Sequence, residues 1–486
     1  MHYCDTLITG ATIIDGAGGE SYNADIGIAG DRIAVIGKSA DIGAGETLDA
    51  SECVIAPGFI DTHTHDDRVL LDEPGMAPKI SQGVTTVVAG NCGISLAPFR
   101  REDRLDETFP PGPMALLGNW SDYKFPSLAH YNAAFDAAPA ACNVAMLIGH
   151  TTLRAGVMKD FNRAATKVEI DTMLMVLEQC LSSGALGLST GLAYPTALHA
   201  PTEEVVELAR SLKSFDALYA THMRNEEGKL VEAVDETIDI AKQTGADTVI
   251  SHHKCAGRAN WGKSKKTLAR IAQAQKGINL NFDVYPYTAA STILLKSFLG
   301  TSEKTTIAFS EPHPEMIGRD FKSIVEEWGC SIDDAIERLM PATAIYFRMD
   351  ENELRQIMSF PGAMIGSDGL PVRNGKPHPR LWGTFPRVLG HYCRNEGVLS
   401  LEEAVHRKTG KPAQVFGLKD RGEIREGAFA DLVIFNPSTV LDRATYDSPE
   451  MPAAGIERVY CNGKLVWHHL AWTGARPGRR LRRETV

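Results

Sequence analysis

Positive charge is in deficit along this 486-residue chain: 50 lysines and arginines face 61 aspartates and glutamates, for a formal net charge of -11. A surface with that balance repels phosphate backbones, which excludes nucleic acid as a partner. The one local exception, GRRLRRE at 478–484, is short and terminal and reads as a solvated tail. Long apolar runs are missing as well. No window approaches the roughly 20 residues needed to cross a bilayer. The opening MHYCDTLITG has no basic stretch followed by an apolar one, so neither a membrane partner nor a secretory signal is read, and a cytoplasmic location is expected. Paired cysteines are the third absence: the nine present are odd in number and scattered, with no two in CxxC spacing. A disulfide framework is excluded, and most of these thiols are expected to be small buried hydrophobes.

What is present is ordinary globular material, 43% hydrophobic and 23% charged, enough for one large domain and a smaller one. Near the start, ADIGIAGDRIAVIG and GETLDASECVIAP, and near the end, ADLVIFNP and IERVYCNGKLVW, alternate β-branched residues with glycine and Asp-Gly punctuation. They predict short strands from both termini, 1–56 and 416–486, closing one small β-sandwich. The middle, 57–415, has a different rhythm. Apolar β-type runs recur at 55–63, 84–91, 143–149, 184–190, 217–222, 247–252, 278–285 and 362–368. Between them lie stretches such as KVEIDTMLMVLEQCLSSG and KLVEAVDETIDIAKQTG, whose apolar residues recur every three or four positions. Eight buried strands alternating with helices predict an α/β fold, a (β/α)8 TIM-like barrel. Two connections are long: the Pro-rich segment 95–120, and an insert at about 288–345 between the seventh and eighth strands. Loops of that length serve as binding walls or lids.

Such a barrel carries its active site where strands end and βα loops begin. The first run ends in His63 and His65, which share one face of an extended strand. The second ends at Cys92, the fifth at His222, the sixth at His252 and His253, the eighth at Asp368. Taken singly, each has an ordinary reading as a satisfied core or surface residue. Together, imidazole, thiolate and carboxylate at the same end of five strands form a metal-ligand set. His253 points to the opposite face from His252 and is assigned to packing.

The segments PGFIDTHTHDD, GNCGISLAP, YATHMR, ISHHK, YPY followed by ST, IGSDGLP and HPRLWGTFPRVLG resemble the N-acyl-D-amino-acid deacylases (D-aminoacylases) of the amidohydrolase superfamily, over nearly the whole chain. The resemblance implies zinc-dependent hydrolysis of an N-acyl-D-amino acid to a carboxylate and a free D-amino acid. It implies a tightly held zinc on Cys92, His222 and His252, and a weaker second position on His63, His65 and Asp368, with Cys92 reaching both. Many superfamily relatives use a carbamylated lysine on the fourth strand; here that strand reads GALGLSTGLAYP, without lysine. This counts against the alternative enzyme, a cyclic-amide hydrolase of the dihydropyrimidinase or hydantoinase type. A non-catalytic barrel scaffold is the other alternative, and it would be expected to have lost ligands that this chain retains.

In the expected mechanism water made nucleophilic by the metal attacks the amide carbonyl, and Asp368 is the candidate general base and acid. Tyr194, read as an exposed loop tyrosine, is the candidate donor to the oxyanion. The substrate's α-carboxylate needs local cations in an acidic protein, and Arg380 and Lys254 follow barrel strands. By resemblance Tyr285 and Ser291 complete that cradle. Leu294, Leu295, Phe298 and Leu299 of the insert are expected to wall an apolar side-chain pocket, with Lys296 as the alternative, a greeting for an acidic side chain. Only the resemblance distinguishes D from L, and oligomeric state is not legible.

Overall fold

The computed structural model describes residues 2–38, 42–100, 104 and 107–484, so part of the Pro-rich connection, 101–103 and 105–106, lies outside the described residues. Eight parallel strands form the barrel: β1 (Phe59–Asp61), β2 (Val84–Ala89), β3 (Asn143–Gly149), β4 (Gly187–Gly191), β5 (Leu218–His222), β6 (Asp247–Ile250), β7 (Leu280–Val284) and β8 (Met364–Ile365). Each pairs with its sequence neighbour, with β8 beside β7. A Thr64 to Gly369 bridge joins the loops after β1 and β8. Nearly every strand residue is buried, the signature of a sheet covered on both faces.

The first apolar run serves two sheets. Val54–Pro57 pairs antiparallel with Leu432–Phe435 in a separate sheet, and only Phe59–Asp61 enters the barrel. Gly58 is the corner: a Cβ there would stand 2.2 Å from Thr85 Oγ1, so only glycine lets the chain change sheets. Both termini contribute to that seven-stranded sheet, whereas the four-stranded sheet facing it is N-terminal throughout. Ile8, Ile26, Ile28 and Ile33 pack against Ile13, Ile55, Leu432 and Ile434 between the two, a β-sandwich core.

Helices cover the barrel as their periodicity predicts. In Lys167–Ser182 the apolar positions Ile170, Met173, Leu177, Cys180 and Leu181 are buried, and Thr166 with Glu169 closes a capping box. Leu230–Thr244 stops at Gly245, whose φ of +67° favours glycine. The described cysteines are all unpaired, six of them buried.

The C-terminal basic segment is docked, contrary to the solvated tail expected. Val144 N–H donates to Arg479 O and Leu481 N–H to Val144 O, and Arg480 and Arg483 pair with Asp136 and Asp247. Backbone hydrogen bonds to β3, unseen in composition, hold it to the barrel. The insert carries a three-stranded antiparallel sheet, Ala289–Ile293, Lys304–Ser310 and Ala342–Phe347. Leu294 packs into its core with Ile307, Phe321, Ile324 and Leu339, and Phe298 and Leu299 lie against it. Lys296 is solvent-facing, 2.7 Å from Asp333. No helix among the described residues is long and apolar enough to cross a membrane.

Candidate active site

At the C-terminal rim of the barrel, the residues singled out in sequence converge. His63 Nε2, Cys92 Sγ, His252 Nε2 and an Asp368 carboxylate oxygen all lie within 4.8 Å of one another. Cys92 Sγ is 3.2 Å from His63 Nε2, 3.3 Å from His252 Nε2 and 3.7 Å from His222 Nδ1. Asp368 Oδ1 is 3.3 Å from His65 Nε2 and 3.5 Å from His63 Nε2. Metal bonds of about 2.0–2.3 Å place tetrahedral donors roughly 3.3–3.8 Å apart, so these spacings fit a cation among them. The most compact group differs from the trio the resemblance gives: it includes His63 and Asp368, with His222 at its edge.

The protonation chemistry fits the same way. Burial pushes His63 well below its ordinary value and His222 down to about 3, leaving neutral imidazoles with a free lone pair. Burial and the Asp368 carboxylate push the Cys92 thiol well above its ordinary range, so its thiolate needs a cation beside it. Burial would raise Asp368, but the Arg380 guanidinium and His252 hold it well below the usual carboxylate range.

Backbone shape places these groups. Cys92, His252 and Asp368 have φ of +53°, +38° and +49°, a region that non-glycine residues enter at a cost and that clusters at functional sites. Each left-handed residue turns the chain sharply off its strand. Asp368 N–H donates to His63 O at 2.8 Å, tying the loops after β1 and β8.

The remaining candidates surround this group. Tyr194 is buried, contrary to expectation: its ring lies 5.0 Å from that of His222 and its hydroxyl is 2.9 Å from Thr292 Oγ1 of the insert. Tyr285 stands between the two expected cations, with Lys254 Nζ 5.4 Å and Arg380 Cζ 4.7 Å from its ring centre. Arg380 is fully buried, with one nitrogen 2.8 Å from Asp368 Oδ2 and another donating to Ser291 O at 3.0 Å. Tyr285 Oη, Ser291 Oγ and Arg380 Nε have no hydrogen-bond partner among the described residues, an expensive condition for buried polar atoms. Lys254 is engaged, 2.6 Å from Glu226 Oε1. His253 turns away, bonding Thr267 at 2.9 Å and stacking edge-on to Phe282.

Sequence reasoning missed the supporting carboxylates. Asp283 Oδ1 accepts from His252 N–H at 2.7 Å and lies 3.7 Å from His63 Nδ1; burial pushes it up to about 7. A lone aspartate in the apolar run INLNFDVY was its signal. Glu226 contacts His252, Lys254 and His222, and its only signal was an acid just beyond the end of β5.

The amidohydrolase family model matches residues 46–312 and 333–467 of this chain. D-aminoacylase of Alcaligenes xylosoxydans xylosoxydans is 49% identical over 479 residues, spanning 99% of this chain and 98% of that protein. A D-aminoacylase structure, described for the functional role of its binuclear metal center, superposes with a TM-score of 0.95 at 47% identity, covering 99% of this chain and 100% of that one. N-acyl-D-glutamate deacylase from Bordetella bronchiseptica was solved with zinc and a phosphonate inhibitor that mimics the tetrahedral intermediate. It superposes with a TM-score of 0.93 at 44% identity, over 99% of this chain and 100% of that one.

Proposed function

Because the chain belongs to the amidohydrolase family, and within it to the N-acyl-D-amino-acid deacylases, we propose that it hydrolyses the amide bond of N-acyl-D-amino acids, releasing a carboxylate and a free D-amino acid. One observation carries the reading: a compact donor group of His63, Cys92, His252 and Asp368 lies beside three buried atoms with no hydrogen-bond partner among the described residues, Tyr285 Oη, Ser291 Oγ and Arg380 Nε. The first fits a metal, the second an anion. The D configuration rests on the relatives.

Zinc is the proposed metal, held tightly by Cys92, His222 and His252, with His63, His65 and Asp368 as the weaker position. Bound there, zinc would lower the pKa of water towards about 7 and polarise the amide carbonyl. Asp368, ionised and itself part of the donor group, takes the proton from the attacking water and delivers it to the leaving nitrogen. Tyr194 turns its hydroxyl from Thr292 to the developing oxyanion. Tyr285 Oη, Ser291 Oγ and Arg380 Nε donate to the α-carboxylate, and Lys254 adds its charge. The barrel's fourth strand offers Ser189 and Thr190 where a carbamylated lysine would be needed, which leaves the cyclic-amide alternative without its bridging ligand.

The test is a panel of N-acetyl-D- and N-acetyl-L-amino acids, with hydantoin beside them, on zinc-loaded protein. Turnover confined to D substrates is expected. Hydrolysis of hydantoin with no turnover of any acyl-D-amino acid overturns the reading.

A further inference from the structure

Glu226 sits on the loop after β5, its side chain 10% exposed. One of its oxygens, Oε1, is 3.1 Å from His252 Nδ1 and 2.6 Å from Lys254 Nζ. The other, Oε2, is 3.9 Å from His222 Nε2, a nitrogen with no hydrogen-bond partner among the described residues. One carboxylate therefore faces two proposed zinc ligands and one proposed substrate contact.

Tautomer chemistry makes these contacts compete. His252 presents Nε2 to Cys92 at 3.3 Å, and Nε2 can give its lone pair to a metal only if the ring proton sits on Nδ1. Nδ1–H then needs an acceptor. Lys254, 2.7 Å from Nδ1, is a donor only, so Glu226 Oε1 is left for the task. The close approach of the Lys254 ammonium to Nδ1 suits the opposite tautomer, with the proton on Nε2 and no lone pair for a metal.

We propose that Glu226 is a positioning residue that fixes His252 in the ligating tautomer, in competition with Lys254. The inference rests on the zinc reading above. Accepting from Nδ1–H, Glu226 turns Nε2 towards Cys92 and draws Lys254 off the ring. Carboxylates in this relation to a ligating histidine are worth about 10- to 100-fold in metal affinity.

The experiment measures zinc affinity by competition with a chromophoric chelator, alongside melting of each zinc-free protein to check folding. Glu226→Ala is expected to weaken zinc about 10- to 100-fold, and Glu226→Gln, which keeps an acceptor, less than that. Lys254→Met is expected to leave zinc as tight or tighter while raising KM, the opposite sign. A purely structural Glu226 would not produce this split. Folded Glu226→Ala with wild-type zinc affinity, or Lys254→Met weakening zinc as much as Glu226→Ala, overturns the positioning role alone. Wild-type protein that binds no zinc overturns the metal reading and this inference with it.

Discussion

Asp368 is held at φ +49° between Arg380 at 2.8 Å and His65 at 3.3 Å, so one carboxylate touches the anion cradle and the donor group at once. Asp368→Ala should abolish turnover while the protein still binds zinc; retained turnover removes Asp368 from the chemistry. Cys92→Ser should lose the metal as well as turnover, because a hydroxyl does not ionise as a thiol does; zinc content by atomic absorption reads this. Arg380→Ala removes a charge-assisted hydrogen bond worth ~1.5–3 kcal/mol, so KM for free acids should rise about 10- to 100-fold, with little change for an amide-capped substrate. Equal losses on both would assign Arg380 to Asp368 alone. The residues were legible because barrel topology gives the end of a strand a chemical meaning. Their supporting groups were not: Asp283 and Glu226 act through distances that no spacing encodes.

At the scale of elements, Lys79 joins three parts of the rim. Its Nζ lies 2.8 Å from Asp61 Oδ2 at the end of β1, 3.2 Å from Asp66 Oδ2 and 3.0 Å from Ser367 Oγ, immediately before Asp368. Asp61 also accepts from Ser367 N–H at 2.7 Å, so the cluster anchors the turn that presents Asp368. Lys79→Met strands two fully buried carboxylates and should cost about 3–5 kcal/mol of stability, read as a lower urea midpoint with unchanged slope. A midpoint equal to wild type would show that the cluster relaxes. The insert is tied down in the same manner: Arg348 pairs with Glu227 and bonds Thr301 at 2.9 Å. Its sheet places Ser291 and Thr292 over the site, which the sequence of the insert does not announce.

For the whole molecule, metal and pH should both move stability. Zinc that binds only the folded chain adds about 2.7 kcal/mol at a hundredfold excess over Kd, seen as a higher Tm than in chelator-treated protein; identical Tm values would deny the folded chain a zinc site. Lys408, fully buried, has its ammonium 4.3 Å from the centre of the Phe59 ring and 3.4 Å from Phe385 O. Burial lowers it from 10.5 to about 7. Between those values the unfolded chain holds a proton that the folded chain has released, so stability from this group rises as pH rises from about 7 to about 10.5, and levels off below 7. Lys408→Met should be more stable than wild type at pH 7 and lack that slope; parallel stability profiles for the two proteins would show Lys408 charged in place.

Sequence by itself determined the barrel, the sandwich partnership of the two chain ends and the list of candidate donors, because burial on both faces forces continuous apolar strands and strand ends carry the loops that do chemistry. It also carried the family resemblance, through motifs at those same ends. Tertiary structure alone decided which donors share a cluster, that Gly58 splits one apolar run between two sheets, that Tyr194 is buried, that the basic C-terminal segment is docked, and that Glu226 touches both His252 and Lys254. These depend on approach across hundreds of residues, where a shift of an ångström makes or breaks a contact, and neither composition nor periodicity records such distances.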